Sequence, residues 1–119
     1  MIRTGIDIVE NSRFSDPPKG LLDHIFTEYE QASGGRAEYW ASRFAAKEAC
    51  VKALGTGFSG ITPKDVEIRS HESGEPYYVL RGRAAELLGG RGISLSIAHE
   101  KSHSVAIAVI YEQERLEKT

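Results

Sequence analysis

The order of the predicted elements places this chain in the α+β class. One strand is predicted at the start, helical segments fill most of the first half, and the other strands follow the longest helix. A repeating βαβ order would indicate a parallel sheet, and the chain does not have that order. We therefore expect a mainly antiparallel sheet packed against one long central helix. The 119 residues suit a single domain spanning residues 1–119.

Local patterns of β-branched residues, helix formers, glycine and proline predict the individual elements. Strands are predicted at residues 2–9, 66–69, 76–80, 93–98 and 104–111. The second and third of these form a hairpin, and the last is the most uniformly apolar, which indicates a central strand. Helices are predicted at 20–26, from 27 onward behind a capping box, at 36–54 and at 83–88. The apolar side of the long helix carries Trp40, Phe44, Val51 and Leu54.

Composition and charge bear on the class of function. The net charge of −2 argues against a dedicated nucleic-acid binder, which usually carries a basic surplus. No stretch is long and apolar enough to span a bilayer, and the N-terminus lacks the pattern of a signal peptide, so we expect a cytoplasmic protein without a membrane partner. The single cysteine, Cys50, agrees with a reducing compartment and is expected to be a small buried residue.

Four basic residues fall close together in the long predicted helix or at its start: Arg36, Arg43, Lys47 and Lys52. Such a cluster can attract a phosphate-rich ligand. On charge alone, a solvated helix face is the favoured interpretation.

Asp7 is unusual because it interrupts an otherwise apolar strand. A buried carboxylate without a partner is costly, so this residue needs compensation. A metal ion would provide it, and so would a hydrogen-bonded turn at the end of the strand.

Glu48 and Lys52 lie four residues apart on the long helix and hence on one face. Ala41 and Ala45 share that face, and this stripe of small residues lets a backbone or a ligand approach closely. Taken alone, the pair is more typical of an ordinary surface ion pair, which contributes about 0.2–0.5 kcal/mol.

His99 ends the segment Ser96-Ile97-Ala98-His99, and a histidine there can donate to a phosphate at the mouth of a site. A lone histidine at a strand end is more often only solvated. The remaining histidines have no metal-ligand spacing with it, which argues against a zinc site.

Taken together, these segments resemble the 4′-phosphopantetheinyl transferases, and specifically the short bacterial holo-acyl-carrier-protein synthases. The matching motifs occur in family order and span nearly the whole chain: residues 5–9 (Gly-Ile-Asp-Ile-Val), Phe26-Thr27-x-x-Glu30, 43–49 (Arg-Phe-Ala-Ala-Lys-Glu-Ala), 52–57 (Lys-Ala-Leu-Gly-Thr-Gly), Gly74-x-Pro76-Tyr77 and 96–99 (Ser-Ile-Ala-His). The motif of the central helix is the most specific.

The resemblance implies a reaction, an assembly and a fold. A serine hydroxyl of apo acyl carrier protein attacks the β-phosphate of coenzyme A, 4′-phosphopantetheine is transferred, and 3′,5′-ADP leaves, in support of fatty acid biosynthesis. The fold implied is that of the transferase family, assembled as a homotrimer with active sites at the subunit interfaces.

The resemblance also implies roles for individual residues. Asp7 and Glu48 match the two carboxylates that hold Mg²⁺, a hard ion that prefers oxygen ligands. Lys52 matches the lysine that contacts the phosphates and can assist the leaving 3′,5′-ADP. Catalysis is therefore assigned to Glu48 and Lys52, with Glu48 or a water held by the metal as general base.

The remaining residues implied by the resemblance bind coenzyme A or the carrier protein. Arg43 and His99 match the residues that grip the 3′-phosphate. Pro76, Ser96 and Ile97 match the adenine pocket, largely through backbone and shape. Gly55 belongs to the coenzyme A contacts, and Arg13 matches the docking arginine for the carrier. On an ideal helix, at about 100° per residue, Arg43 points away from Glu48 and Lys52. We therefore expect Arg43 to serve the site of a neighbouring subunit.

One departure concerns the carrier. The family docks its acidic carrier on a basic helix, whereas residues 23–30 are acidic apart from His24, and only Lys19 adds a basic residue near Arg13. The expected partner is thus an apo acyl carrier protein bound weakly, or an unusual carrier. A polyketide or peptide synthetase carrier, a non-catalytic coenzyme A sensor and a structural trimer without ligand are the competing hypotheses.

Overall fold

The computed structural model describes residues 1–55, 57 and 60–113. Within these residues the strands are β1 Ile2–Glu10, β2 Val66–Ser70, β3 Pro76–Leu80, β4 Gly92–His99 and β5 His103–Tyr111. The α-helices are α1 Leu21–Ile25, α2 Glu28–Ser33, α3 Ala37–Leu54 and α4 Gly82–Leu88. Short 3₁₀ turns occur at Asn11–Phe14 and Pro63–Asp65. None of the helices described is both long and apolar enough to cross a membrane.

The strands form an antiparallel three-stranded sheet in the order β1-β5-β4 and a separate β2-β3 hairpin. The predictions of an α+β fold, a central last strand and a hairpin are therefore confirmed. The sequence did not predict the turn at Asn11–Phe14. The first short helix is also shorter than predicted, because Gly20 has a φ of 86° and Phe26 is extended.

The core lies between α3 and one face of the sheet. The sheet side is built from small and β-branched residues, and α3 contributes alanines together with a few larger side chains: Val9, Leu95, Ala106, Ala108 and Ile110 face Trp40, Ala45, Ala49, Val51 and Leu54. Alanine has the highest helix propensity and also the smallest side chain that still packs. The composition of α3 therefore favours both the helix and a close approach to the sheet.

Gly5 is the point of closest approach between β1 and α3. A Cβ atom at this position would overlap the carbonyl oxygen of Ala49 and crowd the amide nitrogen of Ala53. The backbones of the strand and the helix are therefore in direct contact. This contact determines how near the inward-facing side chains of β1 come to those of α3.

The opposite face of the sheet remains apolar and exposed. Ile6 and Ile8 on β1 are 59% and 64% exposed, and Ile107, which pairs with Ile6, is 38% exposed. Contiguous exposed apolar surface of this kind marks interaction sites.

Gly5→Ala should destabilise the fold, because the added methyl group overlaps main-chain atoms of α3 that cannot rotate away. We expect a loss of about 1–3 kcal/mol in the free energy of unfolding, measured by urea denaturation. Gly90→Ala is the matched control, since a Cβ there meets nothing within 4 Å, and it should stay within about 0.5 kcal/mol of the parent. Equal stability of the two variants would contradict the backbone contact.

Candidate functional site

Asp7 lies on the inner face of β1, toward α3. Strand periodicity places it on the same side as Gly5 and Val9, which are both buried. Its side chain is 19% exposed and accepts a hydrogen bond from Nζ of Lys52 at 3.1 Å. The same ammonium donates to the carbonyl oxygen of Ile6 at 2.9 Å. The carboxylate that interrupts the apolar strand is thus compensated by a cation from α3.

Glu48 lies within electrostatic reach of the same groups. Partial burial raises the pKa of its carboxyl above the ordinary value, and the negative charge of Asp7 raises it further. Lys52 and Arg13 oppose this pKa shift. Arg13 lies in the turn that follows β1, with its guanidinium carbon 5.4 Å from the centre of the Phe44 ring. The structure therefore brings together Asp7, Glu48, Lys52 and Arg13.

The donor set at this point fits a hard divalent cation. Two carboxylates, one from a strand and one from a helix, lie close enough for the charge of Asp7 to raise the pKa of Glu48. Across residues 1–55, 57 and 60–113 there is no group of three or more His, Cys, Asp and Glu suited to a metal. A cation held here would therefore have two protein carboxylates, and Mg²⁺ typically takes one or two together with phosphate oxygens and water.

Arg43 is the centre of a second cluster. Its guanidinium carbon lies 4.3 Å from the centre of the Tyr39 ring, one helical turn earlier, and its terminal nitrogens donate to Ser42 Oγ at 3.1 Å and Ser70 Oγ at 3.4 Å. Its Nε is buried and, within the described part of the chain, has no hydrogen-bond partner. An oriented guanidinium with an unused donor is suited to binding a phosphate or carboxylate.

His99 and Arg43 line the same cleft, of about 440 Å³, together with the Gly34-Gly35 loop. Pro76 borders this region through the hairpin, because it pairs with Ser70, the residue that Arg43 contacts. Three residues predicted to bind the nucleotide, from α3, β3 and β4, are therefore gathered at one place.

The structure separates the other predicted nucleotide contacts. Ser96 is exposed on the outer face of β4, and Ile97, the next residue, is half-buried and points to the other face. Their side chains cannot enter one pocket, although their backbone can contribute to its wall. Gly55 is in the left-handed conformation, with φ 87°, and caps the C-terminus of α3. Thr56, also in the matching motif, lies outside the described residues.

The two clusters lie on different sides of α3, as the helical geometry predicts. Nine residues separate Arg43 from Lys52, which corresponds to about 13 Å along a helix axis. Between them, along the outer face of the sheet, lies a depression of about 370 Å³ lined by Ile8, Ala98, His99 and Val105. A second depression, of about 280 Å³, continues the first one past Ile8 to Asp7 and Lys52.

Two features of α3 differ from what the sequence predicts. Charge alone predicts that Lys47 lies with the basic cluster on a solvated face, but its side chain is fully buried in an ion pair with Glu30. The support of Arg43 by Tyr39 was not predicted, although the spacing of four residues on one helix could have indicated it.

Comparison with known proteins gives a family for this arrangement. Residues 3–110 match the 4′-phosphopantetheinyl transferase superfamily. The chain is 45% identical to the holo-[acyl-carrier-protein] synthase of Halothermothrix orenii, with 92% of this chain and 97% of that protein covered. It is 42% identical to the synthase of the same name from Treponema denticola, over 89% of this chain and 94% of that protein.

Solved structures agree with the sequence comparison. The holo-(acyl-carrier-protein) synthase of Bacillus anthracis, in complex with CoA (3′,5′-ADP), has a TM-score of 0.80 and 32% identity, with 93% of this chain and 96% of that chain covered. The Helicobacter pylori synthase in complex with coenzyme A has a TM-score of 0.82 and 28% identity, covering 92% and 99% of the two chains. By sequence and by fold, this chain belongs to the 4′-phosphopantetheinyl transferase superfamily, among the holo-[acyl-carrier-protein] synthases.

Proposed function

We propose that this protein transfers 4′-phosphopantetheine from coenzyme A to a serine of apo acyl carrier protein, with Mg²⁺, and so supports fatty acid biosynthesis. The serine oxygen forms a bond to the β-phosphorus, the bond from that phosphorus to the bridging oxygen breaks, and 3′,5′-ADP leaves. The observation that carries the proposal is the convergence of Asp7, Glu48 and Lys52 where β1 meets α3.

Asp7 and Glu48 are the residues that would hold the metal. Mg²⁺, when bound, supplies charge neutralisation for the pyrophosphate during displacement. The ammonium of Lys52 is half-exposed, with its side chain 53% accessible, so it can leave Asp7 and donate to a phosphate oxygen. Glu48, or a water held by the metal, is proposed to accept the serine proton.

The cleft at Arg43 is the proposed site for the nucleotide end of coenzyme A. Arg43 offers a buried donor without a partner in the described residues, and His99 lines the same cleft. Both are suited to the 3′-phosphate, while Pro76 supplies apolar surface for the adenine, and the backbones of Ser96 and Ile97 add to the wall. Gly55, at the end of α3 beyond Lys52, is proposed to let the phosphates approach the backbone.

A homotrimer with interfacial sites accounts for the two clusters and for the exposed sheet face. The outer face presents Ile6, Ile8 and Ile107 to solvent in the single chain, and a neighbouring copy would cover them. Arg43 points to a different side of α3 from Glu48. The carboxylates that complete a site with Arg43 would therefore belong to another subunit. A complete site would then combine Asp7, Glu48 and Lys52 of one copy with Arg43 of the next.

Arg13 is proposed to contact the carrier protein. Its charge reaches Glu48, so an acidic carrier bound there would place its serine near the reacting phosphate. Of the acidic residues in the segment 23–30, Asp23 and Glu28 are exposed and Glu30 is buried with Lys47. The two exposed carboxylates favour a carrier less acidic than usual at this contact. A cytoplasmic location is proposed with this reaction, and the free, buried thiol of Cys50 agrees with a reducing compartment.

Intact-protein mass spectrometry of apo acyl carrier protein incubated with the enzyme, coenzyme A and Mg²⁺ tests the reaction directly. We expect the carrier to gain one phosphopantetheine, and EDTA to abolish the gain. Asp7→Asn and Glu48→Gln should each lower the rate by about 100-fold or more, because each removes a metal carboxylate.

Glu86→Gln is the matched control for that assay, since Glu86 is an exposed carboxylate on α4 that pairs only loosely with Arg83, at 3.6 Å. It should keep the parental rate. Absence of transfer to fatty acid, polyketide and peptide synthetase carriers, with coenzyme A still bound, would identify a sensor instead of a transferase.

Mixing two inactive variants tests the shared site. Arg43→Ala and Glu48→Ala subunits are each expected to be inactive as homotrimers, because every site lacks one component. Co-refolded mixtures should regain activity, since some interfaces then combine an intact Arg43 with an intact Glu48. Mixed trimers, verified by native mass spectrometry, that show no activity above the two parents would refute complementation between subunits.

Glu48→Gln should stabilise the metal-free protein at neutral pH. Because the folded-state pKa of Glu48 is raised, the charged carboxylate disfavours folding above that pKa, and the penalty disappears below the ordinary glutamate value, where folded and unfolded states are both protonated. We expect a gain of no more than about 1 kcal/mol, since solvent screens a partly exposed group.

The measurement is urea denaturation in EDTA across a pH series. The advantage of Glu48→Gln over the parent should shrink as the pH falls through the raised pKa toward about pH 4. A variant less stable than the parent at neutral pH would show that Glu48 is not electrostatically strained.

A further inference from the structure

The ion pair between Lys47 and Glu30 is the most completely buried polar contact described, with both side chains 0% exposed. Nζ of Lys47 donates to Glu30 Oε1 at 2.8 Å and to the carbonyl oxygens of Pro63 at 2.9 Å and Val66 at 2.7 Å. All three protons of the ammonium are thus directed to acceptors. This bonding fixes the position of the side chain in every direction.

Glu30 is held as firmly on its own side. Its Oε1 also accepts from the amide of Thr27 at 2.9 Å, which closes the capping box of α2, and its Oε2 accepts from the amide of Ile68 at 2.8 Å. The carboxylate therefore connects the start of α2 to the middle of β2. Through Lys47, α3 is joined to both elements.

Stability alone does not explain this arrangement. Two ions withdrawn from water lose several kcal/mol of hydration each, and well-packed apolar side chains often serve a fold at least as well. Burial lowers the pKa of Lys47, while the charge of Glu30 opposes that shift. What an ion pair adds over apolar packing is direction, because its bonds tolerate little displacement.

That direction matters because Lys47 precedes Glu48 on α3. Neighbouring residues on a helix are about 100° apart around the helix axis. Fixing the direction in which Lys47 projects from that axis therefore also fixes the direction of Glu48. Tyr78 adds a second restraint, since its hydroxyl donates to the carbonyl oxygen of Ala46 at 2.6 Å. We call the Glu30–Lys47 pair together with the Tyr78 hydroxyl the α3 tether.

We propose that the α3 tether is a positioning device that sets the rotation of α3 and so holds Glu48 against Asp7. The backbone contact at Gly5 limits how closely the helix approaches the strand, and Arg3 and Lys52 form hydrogen bonds on the β1 side of α3. The tether adds directional bonds on the other side, toward α2 and the β2-β3 hairpin. This inference rests on the proposed metal site, because the paired carboxylates are what the tether aligns.

The test is the affinity of the full-length, EDTA-treated protein for Mn²⁺ alone, measured by electron paramagnetic resonance well below the melting temperature of each variant. Glu30→Gln/Lys47→Met removes both buried charges, so no ion is left without a partner. We expect it to remain folded and to bind Mn²⁺ about tenfold more weakly than the parent, as when outer supports of metal ligands are removed. Tyr78→Phe, which keeps the ring, should bind about threefold more weakly.

Val51→Ala is the matched control, because Val51 is buried on the same helix and takes no part in the tether. It should lower the melting temperature while leaving Mn²⁺ affinity unchanged. Parental affinity in the folded double variant, or an equal loss in Val51→Ala, would overturn the positioning role. If the double variant does not fold, Tyr78→Phe with parental affinity overturns it instead. Absence of Mn²⁺ binding by the parent would refute the proposed metal site itself.

Discussion

The direct contact between the backbones of β1 and α3 at Gly5 is the constraint on which the site depends. Asp7 and Glu48 come from a strand and a helix whose backbones are in direct contact, and a side chain at position 5 would separate the two elements. The alanines of α3 serve the same purpose from the helix side, at Ala49 and Ala53. Because the residues at the contact between β1 and α3 are small, the two backbones approach closely. The acidic residues Asp7 and Glu48 are then the groups that meet beside this contact.

That closeness has an electrostatic cost, and the neighbouring cations show how the fold offsets it. The pKa of Glu48 is raised by burial and by Asp7, while Lys52 and Arg13 act in the opposite direction. The compensation is incomplete, which is typical of functional sites, where charges are arranged for a ligand and not for the empty protein. Lys52, which is half-exposed, can serve either Asp7 or a bound phosphate, whereas Lys47 is buried and committed to structure.

This difference between two lysines on one helix also shows what the sequence predicts and what it cannot. Element types, the central position of β5 and the shared face of Glu48 and Lys52 follow from local patterns, because periodicity and helix geometry determine them. Burial of Lys47 depends on Glu30, seventeen positions earlier in the chain, and on carbonyl groups before and within β2. No local pattern contains those partners, so charge alone wrongly favoured a solvated face.

The same limit applies to the nucleotide cluster, and it bears on how the molecule works as an assembly. The resemblance named Arg43, Pro76 and His99, but only tertiary packing brings Arg43 and His99 to one cleft and places Ser70, the pairing partner of Pro76, beside Arg43. Glu48 and Arg43 lie on different sides of α3, so the two side chains do not converge on one point within a single chain. In the proposed homotrimer, the second side of each helix would complete the site begun by the first side of its neighbour. The rotation of α3 would then have two consequences, because one angle would set the carboxylates of one site and the arginine of the next.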